Sequence, residues 1–392
     1  MAPASTRTSL GELGRVFLKL GIIGFGGPAA HIALMEDEVV NRRRWLTRER
    51  FLDYVGATNL IPGPNSTELA IQIGRDRAGW AGLLVAGGAF ILPAAIIVGL
   101  LAWGYTRFGQ LPEVTSILAG VKAVVIAIVV QALWRLGRTA VKSAWLGVVA
   151  IGSAVAVIAG VHELVVLLLA ATVVGMAATV RTARAVKSVL AAVPGGFAAS
   201  SGVVTATLGS AGGSSATSGV SLLPLFGVFL KIGSVIFGSG YVLLAFLRAD
   251  LVERLGWLTE RQLLDAVAVG QITPGPLFTT ATFIGYLLAG TPGAVVATLG
   301  IFLPAFIFVA VSGPLVPRIR RSRVAGAALD GVNAASLALM AVVTWQLGRG
   351  SIVDVPTSLL AAAAGLILMT GRASSAWLVV GGAVTGFVLG LR

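Results

Sequence analysis

Cysteine is absent from this sequence of 392 residues, and histidine occurs only twice. Without cysteine the chain can form no disulfide, offers no thiolate nucleophile and holds no cysteine-ligated metal. Charged residues are also scarce, at 11% of the chain, whereas soluble domains carry roughly a quarter. We therefore place the chain in a lipid bilayer, with no soluble domain, and we expect neither a metal nor a cofactor.

Apolar stretches of about 20 residues recur along the whole chain, and each is long enough to cross a hydrocarbon core of about 30 Å. Examples are residues 80–105, 114–134, 164–180 and 295–316. Residues 1–12 are short and polar, which is not the pattern of a cleaved signal peptide. The chain is predicted to be a multi-pass membrane protein.

The formal net charge of +13 raises the question of nucleic acid as a partner. Lysine and arginine lie mainly in short loops between apolar segments, as the positive-inside rule describes. The charge therefore indicates membrane orientation, and we predict no nucleic-acid binding.

The sequence repeats itself once, in register. Residues 17–21 return with one substitution as residues 229–233, Trp45-Leu46-Thr47 returns as Trp257-Leu258-Thr259, and Pro62-Gly63-Pro64 returns as Pro274-Gly275-Pro276. Further matches follow after a slip of one residue. The repeat defines an N-terminal half at residues 1–180, a basic and then Gly/Ser-rich linker at 181–219, and a C-terminal half at 220–392.

Each half has six hydrophobic segments, and Pro-Gly-Pro interrupts the second of them, because proline removes a backbone donor and breaks a helix. If the broken segment returns to its own side, the basic loops at 42–50, 135–142, 181–187 and 318–323 share one face. Each half then crosses five times, which inverts the second half and places Arg7 and Arg15 on the other side. We predict an all-α polytopic protein of two inverted repeats, each of about five transmembrane helices plus a broken or re-entrant segment.

Two breaks per half are candidates for a substrate site, since irregular backbone within a membrane is tolerated where it is buried or lines a wet cavity. The first break contains Gly26 and Gly27, matched by Gly238 and Gly240. The second break is Pro-Gly-Pro, after which a new helix can present free N–H groups and its positive dipole end to an anion. The predicted binding residues here are Pro62, Gly63, Pro64, Asn65, Ser66 and Thr67 in the first half, and Pro274, Gly275, Pro276 and Thr279 in the less polar second half. The alternative is that both motifs only kink helices for packing.

Lys19 and Lys231 lie midway along apolar segments, seven residues before Gly26 and Gly238 and so on the same helix face. A lysine at mid-membrane is costly and marks a pathway or a paired charge, and snorkelling to an interface is the alternative. We include both lysines in the predicted site. Lys122 is a third candidate, although its match is the neutral Asn333.

Glu68 follows Pro-Gly-Pro by about one turn and is a candidate proton-coupling group, with a charge satisfied at a helix N-terminus as the alternative. The matched Asp53 and Asp265 are expected in structural ion pairs near the interface. His31 and His162 are isolated in the sequence and are weak candidates for a ligand or a proton relay.

Signals of an enzyme are absent from the sequence. It contains no His-Glu-x-x-His zinc motif, no paired aspartates of a prenyl transferase, and no base with evident spacing to Ser239. We predict that the protein is not an enzyme.

Phe25-Gly26-Gly27-Pro28, Arg42-Arg43-Arg44-Trp45-Leu46 and Pro62-Gly63-Pro64, with weaker copies in the second half, resemble the long, two-domain form of the chromate ion transporter family. The resemblance covers nearly the whole chain. It implies a secondary transporter in a bacterial inner membrane that exports chromate, driven by the membrane potential or a proton gradient. A transporter or channel for another oxyanion, such as sulfate, is the alternative, and a homodimer is left open.

Overall fold

The computed structural model describes residues 8–25, 27–109, 111–190, 220–237, 242–370 and 375–391, with only the backbone at 139, 181–190 and 313–321. Gly26, Gly238, Ser239, Gly240 and most of the linker, at 191–219, lie outside the described residues. Within the described ranges the regular structure is helical throughout.

The same order of helices occurs in both halves. The first half contains α1 (Leu10–Ile23), α2 (Pro28–Glu36) with a π-helical turn (Asp37–Arg42), α3 (Arg48–Thr58), α4 (Asn65–Phe108), α5 (Pro112–Ala140), α6 (Ala144–Ile158) and α7 (Glu163–Leu190). The second contains α8 (Leu222–Val235), α9 (Leu243–Leu247) with a π-helical turn (Arg248–Arg254), α10 (Glu260–Ile272), a 3-10 turn (Leu277–Thr279) with α11 (Thr280–Arg321), α12 (Arg323–Ser351), α13 (Val355–Met369) and α14 (Ser375–Leu389).

Helices α1 and α2 form a hairpin that enters and leaves on one side. Lys19 Nζ lies 3.0 Å from Glu38 Oε2, and Glu12 Oε1 lies 2.6 Å from Arg43 Nη1. These pairs require that α1 and α2 run in opposite directions, with the reversal after Gly24. The glycine-rich break therefore turns the chain back, and the first apolar segment does not run through the molecule.

Helix α3 and the start of α4 form a second hairpin, with Pro-Gly-Pro at its tip. Arg50 at the base of α3 forms an ion pair with Asp76. Arg77 Nε donates to Thr8 Oγ1 at 2.9 Å, and Arg77 Nη1 donates to the Trp45 carbonyl at 3.3 Å. The two hairpins thus share one face of the molecule, which we call the basic face because it carries the 42–50 loop. The start of α1 lies there too, whereas the sequence argument had placed Arg7 and Arg15 on the other side.

Helix α4 reverses direction sharply at Ala78 and Gly79, where φ of Gly79 is +64°. Glycine adopts such a conformation without steric cost. Residues 80–108 then form an unbroken helical arm of about 43 Å, which reaches the opposite face of the molecule. The matched reversal in α11 occurs at Ala289 and Gly290.

The second half enters from the opposite face. Tyr105, at the far end of α4, donates from Oη to Asp265 Oδ2 of α10 at 2.7 Å. Lys142, after α5 has returned to the basic face, lies 2.6 Å from Asp330 near the start of α12. These contacts are the ones expected of two halves that run in opposite directions, and the inverted membrane topology stays a prediction.

Packing between the halves is reciprocal. Helix α5 packs on α13 and α14, and its match α12 packs on α6 and α7, while α4 and α11 pack on each other. One large apolar core fills the space between the halves and includes Val124, Val125, Phe229 and Phe283. Each half thus covers apolar helix surfaces of the other half.

Five helical spans in the described part of the chain are long and apolar enough to cross a membrane. They are Asn65–Phe108, Pro112–Arg138, Glu163–Val180, Leu277–Ser312 and Arg323–Ser351. The prediction of an all-α, multi-pass membrane protein built from two repeats is confirmed. The structure adds a second hairpin at the start of each half, so the first apolar segment does not cross as the predicted count of about five transmembrane helices per half had assumed, and that count no longer supports the inversion.

Candidate functional site

The tips of the hairpins meet in the centre through a matched pair of backbone hydrogen bonds. The N–H of Gly63 donates to the Ile236 carbonyl at 2.7 Å, and the N–H of Gly275 donates to the Gly24 carbonyl at 2.7 Å. Each Pro-Gly-Pro is therefore joined to the first break of the other half. These bonds satisfy backbone groups that lipid could not satisfy, and they occupy both glycine N–H groups.

Both Pro-Gly-Pro glycines have a positive φ, +135° at Gly63 and +95° at Gly275. A Cβ on Gly63 would overlap the carboxylate of Glu68, and a Cβ on Gly275 would lie 2.7 Å from the Cβ of Ala94. Glycine is therefore required at both tips by conformation and by space. A contact of either glycine with a substrate stays a prediction.

The N-terminus of α4 carries free backbone donors. Pro64 precedes the helix and supplies no side-chain cap. Thr67 N–H donates to the Pro64 carbonyl at 2.8 Å. Among the described residues, no backbone carbonyl accepts from the N–H of Asn65 or Ser66. These N–H groups point out of the first turn, where an anion is favoured.

His31 lies at the centre of the site, although it is isolated in the sequence. Its Nε2 lies 2.9 Å from the Gly24 carbonyl, and its Nδ1 lies 3.2 Å from Ser66 Oγ. A neutral ring that donates from Nε2 accepts at Nδ1, so Ser66 donates to it. The buried ring thereby joins the tip of the first hairpin to the start of α4.

Glu68 and Thr67 are fully buried beside the tips. Both carboxylate oxygens of Glu68 and the hydroxyl of Thr67 have no hydrogen-bond partner among the described residues. An ionised carboxylate in such a place is costly, because nothing replaces the water that it has lost. Binding of a proton removes that cost, and a coupling role for Glu68 stays a prediction.

The matched helix start in the second half uses its polar groups internally. Thr279 Oγ1 donates to the Pro276 carbonyl at 2.8 Å, and Thr280 Oγ1 donates to the Leu277 carbonyl at 2.8 Å. The first half therefore offers more free polar groups.

Lys19 and Lys231 are both ion-paired. Lys19 contacts Glu38, and Lys231 Nζ lies 2.8 Å from Asp250 Oδ1 at the matched position. Helix α1 ends at Ile23, so the helix on which the spacing from Lys19 to Gly26 was argued stops short of Gly26, which lies outside the described residues. The lysines hold the first hairpin of each half together, and their contact with a substrate stays a prediction.

Lys122 forms a buried ion pair across the halves. Its Nζ lies 2.7 Å from Asp265 Oδ1, and their side chains are 12% and 1% exposed. Tyr105 donates to the other oxygen of Asp265. The expected structural ion pair is therefore present at Asp265, which is buried, whereas its match Asp53 is exposed.

A cavity of about 320 Å³ lies between the hairpin tips and the basic face. Asn59 and Phe237 line its inner end, Asn333 and Ser336 line its wall, and Lys142 with Asp330 stands at its mouth. Asn65 Nδ2 donates to Asn59 Oδ1 at 2.7 Å, which connects the cavity to the start of α4. Sequence reasoning missed this cavity, although Asn59 and its match Gln271 are both amides placed just before Pro-Gly-Pro.

Comparison with known proteins identifies both halves. The family model described as "Chromate transporter" matches residues 11–176 and 223–387. A "Chromate transport protein" of Cupriavidus metallidurans is 36% identical over 97% of this chain and 93% of its own length. A "Probable chromate transport protein" of Synechococcus elongatus is 32% identical over 90% and 88%. The "Uncharacterized transporter YwrA" of Bacillus subtilis is 32% identical over 32% of this chain and 71% of its own length. No solved structure matches.

Proposed function

Because the chain belongs to the chromate transporter family, a family of transporters and not of enzymes, we propose that it exports chromate from the cytoplasm. The observation that supports this most directly is the centre of the fold, where four broken helix ends meet beside the free N–H groups of Asn65 and Ser66. Broken helices at mid-membrane, with an N-terminus facing the substrate, are how many secondary transporters bind anions. A tetrahedral dianion has enough oxygens to accept from several such donors.

We orient the protein with the basic face toward the cytoplasm. The 42–50 loop, the end of α5 with Lys142, and Arg323 at the start of α12 lie on that side. Excess positive charge in short loops marks the cytoplasmic side of membrane proteins. The start of α8 then lies on the outer side, so the two repeats have inverted membrane topology.

The membrane potential can drive this export. Moving one charge through 100 mV is worth about 2.3 kcal/mol, so a dianion that leaves an inside-negative cell gains about twice that amount. Export therefore needs no obligatory proton. Where protons do take part, the unpartnered Glu68 is the group that we expect to carry them.

Inverted membrane vesicles test the proposal, because their exposed face corresponds to the cytoplasm. Radiolabelled chromate should accumulate in vesicles that contain the protein, with saturable kinetics and with a dependence on an imposed inside-positive potential. Sulfate should compete, because its shape and charge are similar. Empty vesicles are the control. No accumulation of chromate would contradict the proposal, uptake of sulfate alone would indicate a sulfate transporter, and flux that rises linearly without saturation would indicate a channel.

A further inference from the structure

The cavity on the basic face has a matched position on the opposite face, and the two differ in volume. Asn59, at the inner end of the cavity, is matched by Gln271, and Met340 in its wall is matched by Val129. Around Gln271 and Val129 the free space is only about 10 Å³, against about 320 Å³ on the basic side. At these matched positions the repeat is thus open on the basic face and closed on the opposite face.

Side chains explain part of this difference. Asn333 and Ser336, in the wall of the open cavity, are matched by Lys122 and Val125 on the closed side. Lys122 is held there by Asp265, and Val125 is buried in the core. The open side therefore carries two neutral hydrogen-bonding groups where the closed side carries an ion pair and a methyl surface.

The polar groups of the open cavity can receive an anion. Ser336 is 2% exposed, lines the cavity, and its hydroxyl has no partner among the described residues. Asn59 accepts through Oδ1 from Asn65, which leaves its NH2 group to donate. The negative charge of Asp330 at the mouth of the cavity is compensated by Lys142, whose Nζ lies 2.6 Å from Asp330 Oδ1.

We propose that this cavity is the cytoplasmic binding site for a tetrahedral oxyanion, with Asn59, Asn333 and Ser336 as its donors. The assignment rests on the proposed transport function, and it identifies where the anion enters the protein from the cytoplasm. Neutral donors suit a carrier, because the anion must leave the site as readily as it enters. From the cavity, Asn59 and Asn65 lead the anion to the N-terminus of α4.

Ser336→Ala tests the proposal in inverted vesicles. Removing one hydrogen bond to a charged ligand should raise KM for chromate about tenfold. Ser351→Ala is the matched control, because Ser351 is also a buried, unpartnered serine of α12 and lies away from the cavity. KM in Ser351→Ala should equal the wild-type value. An unchanged KM in Ser336→Ala, or equal shifts in both variants, would overturn the proposal.

Labelling tests the same site without transport. The chain has no cysteine, so Asn333→Cys in the full-length protein gives one thiol for a membrane-impermeant maleimide. Chromate or sulfate should slow its labelling, and should not slow labelling of the exposed Asn41→Cys outside the cavity. Protection of Asn333→Cys together with a wild-type protein that transports no chromate would support the site and contradict the proposed function. Transport by the wild type without such protection would contradict the site alone.

Discussion

The ion pair of Lys122 and Asp265 gives the sharpest prediction on stability. Lys122→Met removes the cation and leaves Asp265, which is 1% exposed, with Tyr105 as its hydrogen-bond donor among the described residues. Breaking a buried ion pair by removing one partner costs about 3 to 5 kcal/mol, because the other charge stays buried without compensation. We expect a loss of that size in the free energy of unfolding.

The measurement is unfolding of purified protein in mixed micelles that are titrated with SDS, followed by circular dichroism. Lys142→Met is the matched control, since the Lys142 side chain is 61% exposed where it meets Asp330. An exposed pair is worth no more than about 1 kcal/mol, and the control should lose no more than that. The double variant Lys122→Met/Asp265→Asn should recover most of the loss, because the amide oxygen still accepts from Tyr105 and no charge is left buried.

Two results would refute this reasoning. Lys122→Met could unfold within about 1 kcal/mol of the wild type, which would show that water or a rearrangement already compensates Asp265. Alternatively, the double variant could be no more stable than the single one, which would show that Lys122 contributes packing and not charge.

Three further predictions concern coupling, the hairpin tips and topology. Glu68→Gln should fold normally, and its transport rate should lose any response to a pH gradient imposed at constant potential; a response like that of the wild type would exclude Glu68 as the proton carrier. Gly275→Val should abolish folded protein on size-exclusion chromatography, because of its φ and its contact with Ala94; a normal yield would show that the tip can relax. In inverted vesicles, an impermeant maleimide should label Arg44→Cys and Ser322→Cys but not His162→Cys, and the inverted topology is wrong if Arg44→Cys and Ser322→Cys label from opposite faces.

The sequence predicted the repeated motifs well, and it predicted less well which residues contact each other in the folded protein. The repeat follows from comparing the two halves of the sequence, and the membrane class and the Pro-Gly-Pro break follow from residues close together in the chain. The pairing of Lys19 with Glu38 depends on where the chain reverses, and the apolar segment itself does not show that α1 ends at Ile23.

The cavity was harder to predict than the breaks. Its lining comes from Asn59 just after α3, from α5, from the segment between α8 and α9, and from α12, which lie far apart in the sequence and in different halves. The repeat also implies that matched positions of the two halves have equivalent surroundings, whereas the folded protein has a cavity at Asn333 and close packing at the matched Lys122. One sequence pattern permits both arrangements, so the pattern alone could not tell which side is open.

Through the hydrogen bonds from Gly63 to Ile236 and from Gly275 to Gly24, each half supplies the hydrogen-bond partners that the broken backbone of the other half needs. A chain that carried one repeat alone would present an unpaired glycine N–H and an unpaired carbonyl at the centre of the bilayer. A second copy in the opposite orientation would supply both missing partners. Two separate chains in opposite orientations could therefore form the same central contacts that this chain forms between its own halves.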